Sequence, residues 1–315
     1  MSGPAPVVIP SYDIPIYVLG TDRKLWVETG PFKVNGPVPP GRTLVDANVQ
    51  NFEVMDANNV YVLGTDGSLW LETKPFGRVL PPIAGNVVEF DGLAFNGLPL
   101  SYESKRVIYV LDGEGNLWLE RFQANPPLRT QVDRNVLAFA AVDENNVFVL
   151  GTDRNLWLET APFGFQIPPS RTPVDGNVLD FEVIDGNNVY VLGTDRNLWL
   201  EKTPFGTVPQ PQRIHIDGNV KGCQAIPGSD VFILGTDNKL WREYPDYGPQ
   251  NRAQVDGNVQ AFQSIGSADN ILVLGTDNKL WFEQGPFLPN GPIPPPRIQI
   301  DGNVLDFSEV NPNRG

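Results

Sequence analysis

The stretch Asn187–Glu201, NNVYVLGTDRNLWLE, decides how this chain is read. It holds two short apolar runs, VYVLG and LWLE, separated by the turn-forming Thr194-Asp195-Arg196-Asn197. β-Branched and aromatic residues fill the runs while Gly, Asp and Asn fill the gap, the pattern of a β-hairpin. Working outward, Asn177–Ile184 (NVLDFEVI) reads as a strand before it, closed by a turn at Asp185-Gly186-Asn187. After a proline-rich stretch, Arg213–Asp217 (RIHID) reads as a strand behind it. The unit is therefore four extended segments: Asn177–Ile184, Val189–Gly193, Leu198–Glu201 and Arg213–Asp217.

The unit recurs seven times. All seven tryptophans occupy its third segment, Trp26, Trp70, Trp118, Trp157, Trp199, Trp241 and Trp281, at spacings of 44, 48, 39, 42, 42 and 40 residues. Four short strands per unit of about 42 residues match a propeller blade. A solenoid would need distinct polar caps, and none is visible. The expected fold is all-β: one seven-bladed β-propeller of four-stranded blades spanning residues 1–315 as a single domain. The N-terminus enters at a second strand, Ile16–Gly20, and the chain finishes on a first strand, Asn303–Val310. Pairing the two supplies the missing strand of the first blade and removes an open sheet edge. Val7-Val8-Ile9 is a spare extended segment that competes for that place.

Composition agrees. Among 315 residues, Gly 31 and Pro 31 disfavour long helices, while 41% hydrophobic and 19% charged residues suffice for a packed core. A net charge of −14 argues against a nucleic-acid partner. One cysteine, Cys223, excludes an intrachain disulfide, and one histidine, His215, excludes zinc clusters and Ser-His-Asp or Cys-His catalysis. No metal or cofactor is expected. No apolar run is long enough to span a bilayer, so membrane insertion is not expected. The start, MSGPAPVVIP, lacks a basic segment followed by an apolar run. That predicts a cytoplasmic protein or one released without a classical leader.

The repeated residues carry two readings. Each Trp either fills the gap between blades or leaves a face to stack on a sugar ring. Glu28, Glu72, Glu120, Glu159, Glu201, Glu243 and Glu283 follow Trp by two residues, on the same strand face. Their expected partners are Arg42, Arg129, Arg171, Arg213, Arg252 and Arg297, each four residues before an Asp (Asp46, Asp133, Asp175, Asp217, Asp256, Asp301). The second unit, shortened at PPIAGNV, has neither that Arg nor that Asp. The GTD turn supplies Asp22, Asp66, Asp153, Asp195, Asp237 and Asp277, with Glu114 standing in for it in the third unit; these acids read as turn acceptors. Further acids, Glu53, Glu89, Asp91, Asp180, Glu182 and Asp306, fall on first strands, where a propeller has its central channel. Two irregularities share one rim: an insert in the third unit within Asp91–Arg106, and proline-rich stretches that mostly begin Pro-Phe (Phe32, Phe76, Phe163, Phe205, Phe287).

VYVLGTDRNLWLE resembles the repeat of bacterial seven-bladed propeller lectins that bind fucose and related sugars; tectonin- and tachylectin-type repeats are more distant in look. The resemblance covers the second and third segments of every unit and not the proline-rich stretch or R-x-x-V-D-G-N-V. It implies weak sugar sites between adjacent blades that use the seven Trp above; the seven Glu, on the same strand face as those Trp, are candidate binding residues by their position. The partners would be glycans, fucosylated ones among them, and assembly into a homo-oligomer is compatible. Seven near-equal sites would act by avidity on a dense glycan surface. The alternatives are a protein-interaction scaffold using the proline-rich rim and the third-unit insert, and an enzyme using channel carboxylates such as Asp180 and Glu182. No nucleophile–base pair supports the enzyme.

Overall fold

The computed structural model describes residues 14–30, 32, 41–78, 81–93, 107–122, 128–206, 213–226, 230–247, 251–265, 267–288 and 293–309. The competing segment at residues 7–9, nearly all of the third-unit insert and the prolines at 37, 39, 40, 126, 127, 209, 211 and 292 lie outside them.

The described residues contain 27 strands, arranged as the repeat predicts. The first repeat has β1 (Ile16–Gly20), β2 (Lys24–Glu28) and β3 (Arg42–Ala47); the second β4 (Val49–Val54), β5 (Asn59–Gly64) and β6 (Leu69–Thr73). The third has β7 (Val87–Gly92), β8 (Val107–Asp112), β9 (Leu117–Arg121) and β10 (Leu128–Asp133). The fourth has β11 (Val136–Asp143), β12 (Asn146–Gly151), β13 (Leu156–Thr160) and β14 (Ser170–Asp175). The fifth has β15 (Val178–Asp185), β16 (Asn188–Gly193), β17 (Leu198–Lys202) and β18 (Ile214–Asp217). The sixth has β19 (Val220–Ala225), β20 (Val231–Gly235), β21 (Leu240–Glu243) and β22 (Arg252–Asp256). The seventh has β23 (Val259–Ile265), β24 (Ser267–Gly275), β25 (Leu280–Gln284) and β26 (Arg297–Asp301), and β27 (Val304–Glu309) follows. In the second repeat the fourth strand is reduced to two isolated bridges, Leu69–Ala84 and Glu72–Arg78, as its shortened sequence requires. The fold is a seven-bladed β-propeller.

The chain divides into two compact units. One comprises Met1–Ala47 and Ile226–Val310, the other Asn48–Ala225 and Asn311–Gly315. In the first unit the predicted terminal pairing is present: β27 lies antiparallel to β1, with Val18 opposite Phe307 and Leu19 opposite Asp306. The backbone of Thr21 also donates to Asn303 at 2.8 Å.

The second strands read as unbroken apolar runs because both faces are covered. Tyr17, Tyr61, Tyr109, Tyr190, Phe148 and Phe232 occupy one position of that strand and are buried. Within each unit, apolar cores form between consecutive repeats. Ile16 and Val18 pack with Leu272, Leu274 and Phe282 in one unit. Phe148 and Leu150 pack with Val189 and Val191 in the other. Burying one such side chain stabilises the fold by roughly 1.5–3 kcal/mol.

The GTD turns explain their own sequence. Oδ1 of Asp153 accepts the N–H of Asn155 at 3.1 Å, and Asp22, Asp66, Asp195, Asp237 and Asp277 do the same two residues on. The carboxylate folds back over the preceding glycine: a Cβ on Gly151 would lie 2.5 Å from Asp153 Oδ1. Gly is therefore demanded by close approach, not by an unusual φ. The third repeat reverses the arrangement. Its turn is capped by Asp112, at the glycine position, which accepts from the backbone of Glu114 (2.9 Å) and Asn116 (3.0 Å). The expectation that Glu114 replaces the GTD aspartate is thus corrected: a longer Glu side chain leaves the glycine position free, and Asp112 fills it.

Candidate functional site

Every Trp of the repeat is half-buried and carries an arginine on its ring. The guanidinium carbon lies 4.3 Å from the ring centroid for Arg42 on Trp26, 4.1 Å for Arg129 on Trp118 and 4.1 Å for Arg171 on Trp157. It lies at 4.1 Å for Arg213 on Trp199, 4.3 Å for Arg252 on Trp241 and 4.2 Å for Arg297 on Trp281. The register causes this. Arg on the fourth strand stands opposite Glu on the third, as Arg171 opposite Glu159, one position diagonal to Trp on the same face. Each stack is worth roughly 0.5–2 kcal/mol, the more as it is desolvated.

The second repeat corrects the expectation that it has no arginine. Arg78, from the segment after Phe76, lies 4.6 Å over Trp70 and 3.6 Å from Glu72. Motif spacing could not find it, because it reaches Trp70 through an isolated bridge and not through a strand in the usual register.

Behind the arginines lie the seven glutamates, all buried: Glu28, Glu72, Glu120, Glu159, Glu201, Glu243 and Glu283. Arg129 Nε and Arg213 Nε each sit 3.0 Å from their glutamates, Glu120 and Glu201. Four of the arginines also reach an aspartate of the preceding repeat and not of their own fourth strand. Arg213 meets Asp175 at 3.1 Å, Arg297 meets Asp256 at 3.2 Å, Arg42 meets Asp301 at 3.6 Å and Arg171 meets Asp133 at 3.9 Å. One guanidinium thus ties two consecutive blades. The shortened second repeat offers Arg129 no such aspartate, and Asp112, at 4.0 Å, takes the place.

Electrostatics divides the glutamates. Burial, then the charge of the adjoining Asp301, Asp133 or Asp256 and a hydrogen bond to it, pushes Glu28, Glu159 and Glu283 up to about 9. That favours the protonated form of these three at neutral pH, which leaves each arginine facing one negative charge and not two. Burial raises Glu201 only to about 7, because Arg213 opposes it.

Pockets open where consecutive blades meet. Between the third and fourth repeats a pocket of about 320 Å³ is lined by Asp133, Arg134 and Asn135 on one side and by Thr152, Asp153, Trp157 and Arg171 on the other, with Ile167 and Pro168 at its lip. Between the fourth and fifth, Asp175, Gly176 and Asn177 face Thr194, Asp195 and Arg213 around about 470 Å³. The two are built from the same repeat positions. The linking Asn135 and Asn177 hold left-handed φ values of 57° or just below (56° and 57°), and each accepts a 2.8 Å bond from the Thr of the GTD turn. Trp157 is a wall residue of the first pocket. Glu159 and Glu201 line neither and serve as anchors beneath the arginines. Sequence reasoning placed Trp at the site but missed the DGN linker and the GTD turn as its rim.

The first-strand acids are tied to backbone: Glu53 accepts from Gly92 N and Asp91 from Ala141 N, both at 2.8 Å, each on the next repeat. Burial, then Asp91 and Asp180, raises Glu89 to about 7. Burial, then Glu182 and Asp180, pushes the Cys223 thiol well up, so it is not a poised nucleophile. His215 is exposed, edge-on to Trp199 with ring centroids 4.7 Å apart. Among the described residues no helix is long and apolar enough to cross a membrane, and no cluster of His, Cys, Asp and Glu is arranged to hold a metal ion.

No family model matches the chain, and no curated protein does. Solved structures do. The dihydro-heme d1 dehydrogenase NirN is 13% identical, matched over 100% of this chain and 79% of its own, with a TM-score of 0.59. The C-terminal WD40 domain of Sif2 is 12% identical, over 87% and 79%, at 0.57. The WD40 β-propeller domain of Doa1 is 13% identical, over 88% and 92%, at 0.56. At such identities these likenesses establish the propeller fold alone.

Proposed function

We propose that this protein is a multivalent carbohydrate-binding protein whose sites are the pockets between consecutive blades. The observation that carries the reading is the recurrence of one polar pocket at equivalent places, with Trp157 as a further wall residue at the first. Guanidinium, carboxylate, amide and hydroxyl groups converge there on a space the size of a monosaccharide, the mixture that recognises vicinal hydroxyls. The resemblance of the GTDxxLW repeat to propeller lectins points the same way. The arginine stack alters the role first expected of Trp. With one ring face taken by guanidinium, the indole acts as a wall and as the platform that fixes Arg. Sugar hydroxyls would then meet Arg171, Asp133, Asn135 and Asp153 at the first pocket, and Arg213, Asp175, Asn177 and Asp195 at the second. Weak, equal sites gain strength by avidity on a dense glycan surface.

The test is a glycan array on folded, labelled protein with free monosaccharide as competitor. Binding to a related set of glycans, lost on competition, supports the reading; a blank array overturns it. Arg213→Ala should then reduce the number of sugars bound per chain while most sites remain.

A second reading, a protein-interaction scaffold, is favoured by one observation. Phe165 is 86% exposed in the proline-rich stretch of the fourth repeat, beside Phe163, which is buried. A partner captured by the wild type and lost with Phe165→Ser would support it.

A further inference from the structure

The repeat is most informative where it is broken at the rim of a pocket. The linker between blades reads Asp-Gly-Asn at Asp175-Gly176-Asn177, Asp217-Gly218-Asn219, Asp256-Gly257-Asn258 and Asp301-Gly302-Asn303, and Asp46-Ala47-Asn48 after the first repeat. Between the third and fourth repeats it reads Asp133-Arg134-Asn135. A long cation stands where the other repeats have glycine or alanine. Arg134 lines the pocket, is exposed, and donates through one guanidinium nitrogen to Gln131 Oε1 at 3.2 Å. Among the described residues no carboxylate lies within ion-pair distance of it. That separates it from Arg171, whose guanidinium is engaged by Trp157 and Asp133. The pocket therefore carries two guanidinium groups against Asp133 and Asp153, whereas the next carries Arg213 alone against Asp175 and Asp195.

We infer that the pocket between the third and fourth blades takes a carboxylate-bearing saccharide, a uronic-acid type of ligand, while its neighbour takes neutral sugar. The inference rests on the carbohydrate reading and specialises one of its sites. Arg134 presents a planar fork of donors that matches a carboxylate edge-on. The ring hydroxyls keep the groups the pockets share: Arg171, Asp153, Asn135 and Thr152. Net charge at the first pocket is balanced before the ligand arrives, so an anion meets no repulsion there. The neighbouring pocket has an excess of carboxylate and disfavours it.

The repeat itself supplies the variants. Arg134→Gly restores the residue that five other linkers carry (Gly85, Gly176, Gly218, Gly257 and Gly302), so the turn is kept. Gly176→Arg transplants the cation to the next pocket. A Cβ there meets Asn155 Oδ1 at 3.1 Å, a side-chain atom that can yield, and Gly176 has no left-handed φ to strain. The probes are arrayed neutral glycans, the same glycans with a terminal uronic acid, and sulfated counterparts, followed by titration of the strongest binder of each group at low and high sodium chloride. Wild type should prefer the uronate form roughly 3- to 10-fold at one site per chain, less so at high salt. Arg134→Gly should abolish that preference while neutral glycans still bind at the neighbouring pocket, and Gly176→Arg should add a second uronate-preferring site. If neutral glycans bind but wild type shows no uronate preference, or Arg134→Gly retains it, the inference is overturned and the carbohydrate reading stands. Equal binding of sulfated and uronate forms would overturn the choice of carboxylate. If no glycan of any kind binds, the carbohydrate reading falls and this inference with it.

Discussion

Asp112 accepts the indole N–H of Trp118 at 2.8 Å, from the position that six other repeats give to glycine. The same carboxylate caps the turn and faces Arg129. Burial pushes its pKa up, but hydrogen bonds from Asn116, Trp118 and Glu114 outweigh that and hold it below the usual carboxylate range. Asp112→Gly, although it restores the repeat consensus, should destabilise the protein by about 1–3 kcal/mol. Adding Glu114→Asp should recover the turn but not the partner of Arg129. Urea midpoints of the single and double variants measure both parts; full recovery in the double variant would show that Arg129 does not use Asp112.

Arg78 is the arginine that spacing alone does not reveal. Arg78→Ala removes the stack on Trp70 and leaves Glu72, which is buried, without this cation. A loss of about 1–3 kcal/mol is expected, with Arg78→Lys recovering little because an ammonium cannot lie flat on the ring. Unfolding curves for the two variants check this; a stable Arg78→Ala protein would refute the role.

The protonated glutamates make stability depend on pH in a definite direction. Glu28, Glu159 and Glu283 are pushed up to about 9 in the fold, against an unfolded value near 4.5. Between those values the folded chain binds more protons, so its stability falls as pH rises from about 5 to 9 and levels off above. Below about pH 4 the turn aspartates Asp153, Asp195 and Asp277, held low by hydrogen bonds, lose their contribution as they protonate. Glu159→Gln should flatten part of the alkaline slope. Urea midpoints measured from pH 4 to 10 would show it; a slope unchanged in Glu159→Gln would remove that glutamate from the account.

Gly151 and Asp153 are a matched pair. Gly151→Ala places a Cβ 2.5 Å from the Asp153 carboxylate and should cost about 1–3 kcal/mol. Combined with Asp153→Glu, the arrangement of the third repeat, the penalty should shrink. A double-mutant cycle measures the coupling; strict additivity would exclude the clash as its cause.

Strand order, blade count and the join of Ile16–Gly20 to the C-terminal strand were legible because each rests on periodicity: alternation within a strand, and recurrence of LWxE and GTD between repeats. Those features are local, and every copy votes for the same answer. The GTD turn and the pairing of the LWxE glutamates with arginine were legible for the same reason. Partnership across blades was not. Spacing put an Arg and an Asp on each fourth strand without saying which Asp an Arg meets, and Arg297 meets Asp256 and Arg42 meets Asp301, aspartates of the preceding repeat. Identical motifs in every repeat cannot say which copy touches which, since that depends on how one sheet packs on the next. Nor could spacing find Arg78 or Asp112, which replace lost groups from other positions in the chain. The sequence by itself determined the seven repeats, because hydrogen-bonding and hydrophobic alternation act between near neighbours. The tertiary structure decided that arginine covers each tryptophan and that three buried glutamates hold their protons. Only packing brings those charges within reach of one another and takes them out of water.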